Sequence, residues 1–368
     1  MQISDLMRAA VKRLPVYQPG KPVELVAREC GLDPREVVKL ASNENPLGPS
    51  PRALEAARRA LADTWLYPDN AGYFLIRALA GRLRMEERQI VLAAGSNEIF
   101  YRLCDLFVEP GVEVVMGAHA FISYKIATLL RDGKAVETPM PDLVHDPAAM
   151  LAAVTDHTRL VFLPNPNNPT GTALGAGEVL EFARSLPDHV VFCYDEAYAE
   201  YQSRPADLRP LIAEGRKVVC TRTFSKIYGL AGLRIGYAYT TPDLADALNA
   251  VRPPFNTGNV AQAAALAALD DTAFVDQSRH CNMAGQLQLE KGLAALGVES
   301  VRSEANFTLA RIGGRSAEVA RDLQAAGVIV RPVANYGLPD YLRVSVGTEA
   351  QNRRFLGALE SVMQSNRT

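Results

Sequence analysis

Five short apolar runs of β-rich sequence punctuate the middle of the chain: QIVLAA at 89–94, VEVVMG at 112–117, RLVFLP at 159–164, HVVFCYD at 189–195 and KVVCTRTF at 217–224. Helix-period segments lie between most of them. A strand that is apolar at nearly every position has to be covered on both faces, and helices between successive strands supply that cover. The pattern predicts an α/β fold: a large unit with a mainly parallel sheet flanked by helices.

The two ends read differently. The first 45 residues are rich in Pro and Gly around one amphipathic helix. The last third alternates helices (AQAAALAAL, RSAEVARDLQAAG, QNRRFLGALESVMQ) with the strands NFTLARI and YLRVSVG. The expected organisation is an N-terminal arm over 1–45, a large unit over 46–262 and a smaller α+β unit over 263–368, the arm packing alongside the small unit. No internal repeat or low-complexity linker separates them, so the second unit is expected to be woven from the chain ends.

Composition limits the function classes. Of 368 residues, 39 are Lys or Arg and 41 are Asp or Glu, with no run of like charge. That balance offers no footprint for nucleic acid or an anionic membrane. The five cysteines (Cys30, Cys104, Cys193, Cys220, Cys281) lack CxxC spacing, and the five histidines form no HxH or HExxH pair. Neither a metal site nor a disulfide framework is expected. With no signal-like start and no apolar stretch of the ~20 residues a membrane span needs, a reducing cytoplasm is the expected location.

In a parallel α/β sheet, ligands collect beyond the carboxyl ends of the strands. Here four of those ends run into polar sequence: Gly95-Ser96-Asn97 before an apolar helix pattern, NPNNPTG at 165–171, Asp195-Glu196-Ala197-Tyr198, and Thr223-Phe224-Ser225-Lys226. The first suits an anion at a helix N-terminus. Taken singly, Lys226 would pass for a solvated lysine, Asp195 for a helix cap and NPNNPTG for a turn. Together they supply a Schiff-base lysine, a carboxylate for a pyridine nitrogen and a phosphate cradle, the set that pyridoxal 5′-phosphate requires.

NPNNPTG, YDEAY and TFSKIYGLAGLRIGY, in this order, resemble the fold-type I pyridoxal-phosphate aminotransferases. With SNENPLGPSP at 42–51, WLYPD at 65–69 and YGLPDYLRVSVGTE at 336–349, the set is similar to the histidinol-phosphate aminotransferase branch of that family. The resemblance runs from about residue 14 to near the end.

It implies that Lys226 holds the cofactor covalently and shuttles a proton, that Asp195 pairs with the pyridine nitrogen, and that Tyr198 and Asn168 bond the ring oxygen. Gly95, Ser96, Asn97, Thr223, Ser225 and Arg234 would surround the phosphate, and Phe121 would stack on the ring. The family often has tyrosine at that position and proline two residues earlier, where this chain has His119. Arg343 would grip the anionic group of either substrate, with Arg331 and Tyr17 in the same pocket. Tyr67 would reach the phosphate in the other subunit's site, which implies a homodimer with shared sites.

The implied reaction is transamination between histidinol phosphate and 2-oxoglutarate in histidine biosynthesis. Aromatic amino acids are an alternative donor class, because specificity rests on pocket contacts worth a few kcal/mol. A decarboxylase acting on a phosphorylated amino acid would use the same lysine, aspartate and arginine. A cofactor-binding regulator would carry a DNA-binding segment that is not evident here, and no GxGxxG follows the first strand to suggest a dinucleotide enzyme.

Overall fold

The computed structural model describes residues 2–12, 14 and 20–365. Its centre is a seven-stranded sheet in the order Ile90–Ala93, Gly236–Tyr239, Val218–Thr223, Val191–Asp195, Thr158–Pro164, Glu113–Gly117, Lys134–Thr138. Every neighbouring pair is parallel except the two made by Gly236–Tyr239, which runs against both of its neighbours. The mainly parallel α/β sheet expected from the apolar runs is therefore present. All five runs form strands of it.

Two further strands complete the sheet. Lys134–Thr138 is the partly exposed edge, and Gly236–Tyr239 follows directly on the turn that contains Arg234. Both faces are covered, as the strand composition requires. One face holds Leu92, Val161, Leu163 and Phe192 against helices Tyr73–Leu83, Ala176–Ser185 and Asn259–Leu269. The other holds Val91, Val114, Phe162 and Val219 against Ser96–Phe107, Ile122–Leu130 and Pro242–Ala250.

A second, antiparallel sheet has the order Arg331–Val333, Leu338–Ser345, Phe307–Arg311, Glu299–Val301. Its own core joins Leu342 and Val344 to Leu289, Leu293, Leu323, Phe355 and Leu359 of three helices. Val38–Lys39 pairs in parallel with Val328–Ile329, so the N-terminal segment is tied to this part of the chain. Helix Asn259–Leu269 belongs to the core of the large sheet, and helix Thr272–Ala295 runs from that core (Val275) into the small one (Leu289, Leu293). We therefore propose that the two units meet within this long helix and not at residue 262.

Among the described residues no helix is long and apolar enough to cross a membrane. The five cysteines are free thiols.

Candidate active site

Because Ile90–Ala93, Glu113–Gly117, Thr158–Pro164, Val191–Asp195 and Val218–Thr223 all point the same way, the segments that follow them emerge on one edge of the sheet. They open into one cleft, whose far wall is the small sheet. Ser96, Asn97, Phe121, Asn168, Asp195 and Tyr198 line it from the large sheet. So do Thr223, Ser225, Lys226 and Arg234, while Arg331 and Arg343 enter from the small sheet.

Asp195 closes its strand and is buried. Its Oδ2 accepts from the Tyr124 hydroxyl at 2.6 Å, and its Oδ1 accepts from Thr221 Oγ1 at 3.0 Å and the Ala197 N–H at 3.1 Å. Burial pushes its pKa up to about 6, against the pull of these three donors. All three are neutral. The ion pairs among the described residues include none to Asp195, so a buried carboxylate here has hydrogen bonds but no counter-charge.

Lys226 lies past the end of the adjoining strand. Its Nζ donates to the Ser42 carbonyl at 3.3 Å and sits 5.6 Å from the centre of the Tyr198 ring. Tyr198 is buried, its hydroxyl accepts from Asn43 Nδ2 at 3.0 Å, and burial raises its pKa to about 12. The segment before the large sheet thus contributes to the cleft through Ser42 and Asn43.

A cradle for an anion forms where the first strand of the sheet ends. Helix Ser96–Phe107 begins after Gly95 without a side-chain cap, so its leading N–H groups have no intrahelical acceptor. Arg234 adopts a left-handed backbone (φ 52°) and donates through Nη1 to Ser225 Oγ at 3.3 Å and the Ala231 carbonyl at 3.0 Å. Its Nη2 lies so near Gly95 that a Cβ there would come within 2.5 Å, and Gly95 itself has φ 82°. The left-handed backbone favours glycine at this point, and any side chain there would displace the Arg234 guanidinium.

At the opposite end, Arg331 and Arg343 are direct cross-strand partners, and both are buried. Arg343 Nη1 donates to Asn168 Oδ1, Nη2 donates to the Ala41 carbonyl at 2.7 Å, and the guanidinium stands 5.3 Å over the Phe307 ring. Like charges placed opposite one another on a sheet repel. Their arrangement suits an anion between them.

Phe121 lines the cleft and meets Tyr124 edge to face at 5.8 Å. Tyr67 lies apart: it is 81% exposed and stacks on Phe255 at 4.7 Å. Tyr17 falls outside the described residues. Three residues of the site were missed in the sequence: Tyr124, Thr221 and Asn43. Thr221 stands two residues before Thr223, hence on the same face of one strand, and Tyr124 stands one helical turn after Phe121; these spacings were the available signals.

The site fits pyridoxal 5′-phosphate in three respects. Asp195 lacks the cation that a protonated pyridine nitrogen supplies. The uncapped helix start beside Arg234 presents N–H groups and a guanidinium to a phosphate. The side-chain oxygen of Asn97 is buried without a hydrogen-bond partner, and turning the amide over would present its N–H2 donor to a phosphate.

Comparison with known proteins agrees with this geometry. Residues 35–359 match the family described as aminotransferase class I and II. The chain belongs to that family. Relatives of this aminotransferase include histidinol-phosphate aminotransferase 2 of Pseudomonas fluorescens strain Pf0-1, 47% identical over 360 residues, which cover 97% of each chain. Histidinol-phosphate aminotransferase 1 of Thiobacillus denitrificans is 48% identical over 355 residues, 96% of this aminotransferase and 92% of that protein. Among solved structures, histidinol-phosphate aminotransferase from Sinorhizobium meliloti, in complex with pyridoxal 5′-phosphate, has a TM-score of 0.89 at 30% identity, with 98% of each chain covered.

Proposed function

We propose that this aminotransferase uses pyridoxal 5′-phosphate to exchange an amino group between L-histidinol phosphate and 2-oxoglutarate, a step of histidine biosynthesis. The observation that carries the choice of substrate is the buried pair Arg331 and Arg343 at the end of the cleft remote from the phosphate cradle. Two guanidiniums in one pocket suit a phosphate monoester on the donor and a carboxylate on the acceptor. The printed names of relatives matched along nearly their whole length support the same reading.

When bound, the cofactor supplies an electron-poor ring that takes up the electron pair released as the donor loses its α-proton. The protein's residues do the rest. Gly95, Ser96, Asn97, Thr223, Ser225 and Arg234 would hold the cofactor phosphate. Asp195, kept in place by Tyr124 and Thr221, would hold the pyridine nitrogen. Tyr198, Asn168 and Phe121 would hold the ring. Lys226 would anchor the cofactor and move the proton at the substrate α-carbon, acting as base and then as acid. Arg343, with Arg331, orients the substrate so that its α-proton faces Lys226.

The active unit is a cytoplasmic homodimer in this reading. Trp65, Leu66, Tyr67 and Phe74 form an exposed apolar surface of the kind that marks a subunit interface, and Tyr67 of the partner subunit completes the phosphate cradle.

The test is single-turnover absorbance of the purified protein mixed with L-histidinol phosphate, L-phenylalanine or O-phospho-L-threonine. Rapid loss of the cofactor's visible absorption with histidinol phosphate, restored by 2-oxoglutarate, is expected. A response mainly to phenylalanine would overturn the substrate, and carbon dioxide release from phosphothreonine would overturn the reaction.

A further inference from the structure

We propose that His119 is a positioning residue for the substrate end of the cleft, acting through the turn that joins the two arginine-bearing strands. His119 follows strand Glu113–Gly117 of the large sheet and does not itself line the cleft. Its Nδ1 is 2.7 Å from the main-chain carbonyl of Tyr336. A carbonyl only accepts, so the ring donates from Nδ1. Tyr336 lies in the turn Ala334–Tyr336 that connects Arg331–Val333 to Leu338–Ser345, and it lines the cleft together with Arg331 and Arg343. The bond therefore crosses from one sheet to the other.

The main chain of His119 is held for this role. The carbonyl of His119 accepts from Asn167 Nδ2 at 3.1 Å, and its N–H meets the Met140 sulfur at 3.4 Å. Gly337, at φ 75°, lies against the ring, and a Cβ added there would come within 3.4 Å of it. Asn167 is joined directly to Asn168, which accepts from Arg343. Two ties between the sheets, His119 to Tyr336 and Asn168 to Arg343, are thus linked through adjacent residues and bracket the arginine pair.

The physical consequence concerns spacing. Arg331 and Arg343 stand opposite one another on neighbouring strands, and an anion gripped by both needs them at a fixed separation. A turn pinned at Tyr336 limits how far the two strands can part. His119 therefore acts on substrate affinity, and the proton transfer at Lys226 proceeds without it.

This inference rests on the proposed function, and its test has an arm independent of it. His119→Ala, His119→Asn and His119→Gln are compared with the wild-type holoenzyme. KM and kcat are measured for L-histidinol phosphate, and the dissociation constant of inorganic phosphate by calorimetry. Loss of one hydrogen bond in His119→Ala should raise KM and the phosphate constant about 3–10-fold, with kcat within about twofold. The Asn amide nitrogen branches from Cγ as Nδ1 does, so His119→Asn should restore both constants, whereas His119→Gln, one bond longer, should not. Unchanged KM and phosphate affinity in His119→Ala, a fall in kcat alone, or an Asn variant no better than the Gln variant would each overturn the proposal. Should His119→Ala fail to fold, the Asn and Gln pair decides. A wild-type enzyme inactive on histidinol phosphate would overturn the functional reading, while the inorganic-phosphate arm still judges His119.

Discussion

The Tyr124 hydroxyl donates to Asp195 Oδ2 at 2.6 Å, with both side chains buried. A hydrogen bond to the charged form of a carboxyl favours that form, so Tyr124 opposes the burial that raises Asp195. Tyr124→Phe should make Asp195 a poorer anion and weaken cofactor binding about 10–150-fold, the range for a bond to a charged group. The cofactor dissociation constant, followed by fluorescence on refilling the apoprotein, checks this; an unchanged constant would remove Tyr124 from the site.

The Asp195 carboxyl also sets a pH dependence in the apoprotein. Its pKa rises from 3.8 to about 6 on folding, so the folded state holds the proton more tightly than the unfolded state. Its contribution to stability is complete below the lower value and is lost as pH rises through the upper one, a cost of about 3 kcal/mol at neutral pH. Asp195→Asn removes the titration and keeps the acceptor for Thr221 and Ala197. Apo Asp195→Asn should be at least as stable as apo wild type at pH 8 and lose that advantage at pH 4, by urea melts, while its turnover collapses.

Lys226→Ala should lower kcat by at least about 10³, because no other lysine among the described residues lines the cleft, while weakly bound cofactor is retained. Normal turnover by this variant would sink the assignment of Lys226.

Arg343 grips both substrates in the proposed reaction, so Arg343→Ala should raise KM at least about 30-fold for the phosphorylated donor and for 2-oxoglutarate alike, the range for truncating a buried charge partner. An effect confined to one substrate would mean that the anion site is not shared.

Much of this was legible before any coordinates. Strands buried on both faces are apolar at consecutive positions, and so the five central runs stood out. Lys134–Thr138 did not, because an edge strand with one face in solvent carries Lys and Glu. Gly236–Tyr239 was obscured by the glycines of the turn before it. In the site, Lys226 and Asp195 were readable because each closes or follows a strand, where ligand chemistry gathers, and Arg234 through the TFSKIYGLAGLRIGY stretch that carries the family resemblance. Tyr124 and Asn43 act through other residues; only the spacing from Phe121 hinted at Tyr124, and nothing in the local sequence of Asn43 marks a side chain that serves a distant hydroxyl. Helix Thr272–Ala295 did not stand out, because its polarity is even around its surface while Val275 packs in one core and Leu289 and Leu293 in another.

The exposed aromatic surface yields a last expectation. Wild-type protein should sediment as a dimer at micromolar concentration, and Trp65→Glu, which sets a charge in an apolar patch, should shift it toward monomer and reduce activity with it.

Asn43 donates to Tyr198 and accepts from Ser345 Oγ, while Arg343 donates to Asn168 and to Ala41. Segments on either side of the large sheet in sequence thus meet over that sheet. The large sheet can assemble during synthesis, yet the substrate pocket comes into being only when the final strand docks on the opening segment. Catalytic competence therefore waits on that docking, and a chain arrested before Arg343 has a place for the cofactor but only half of the arginine pair that would grip the substrate.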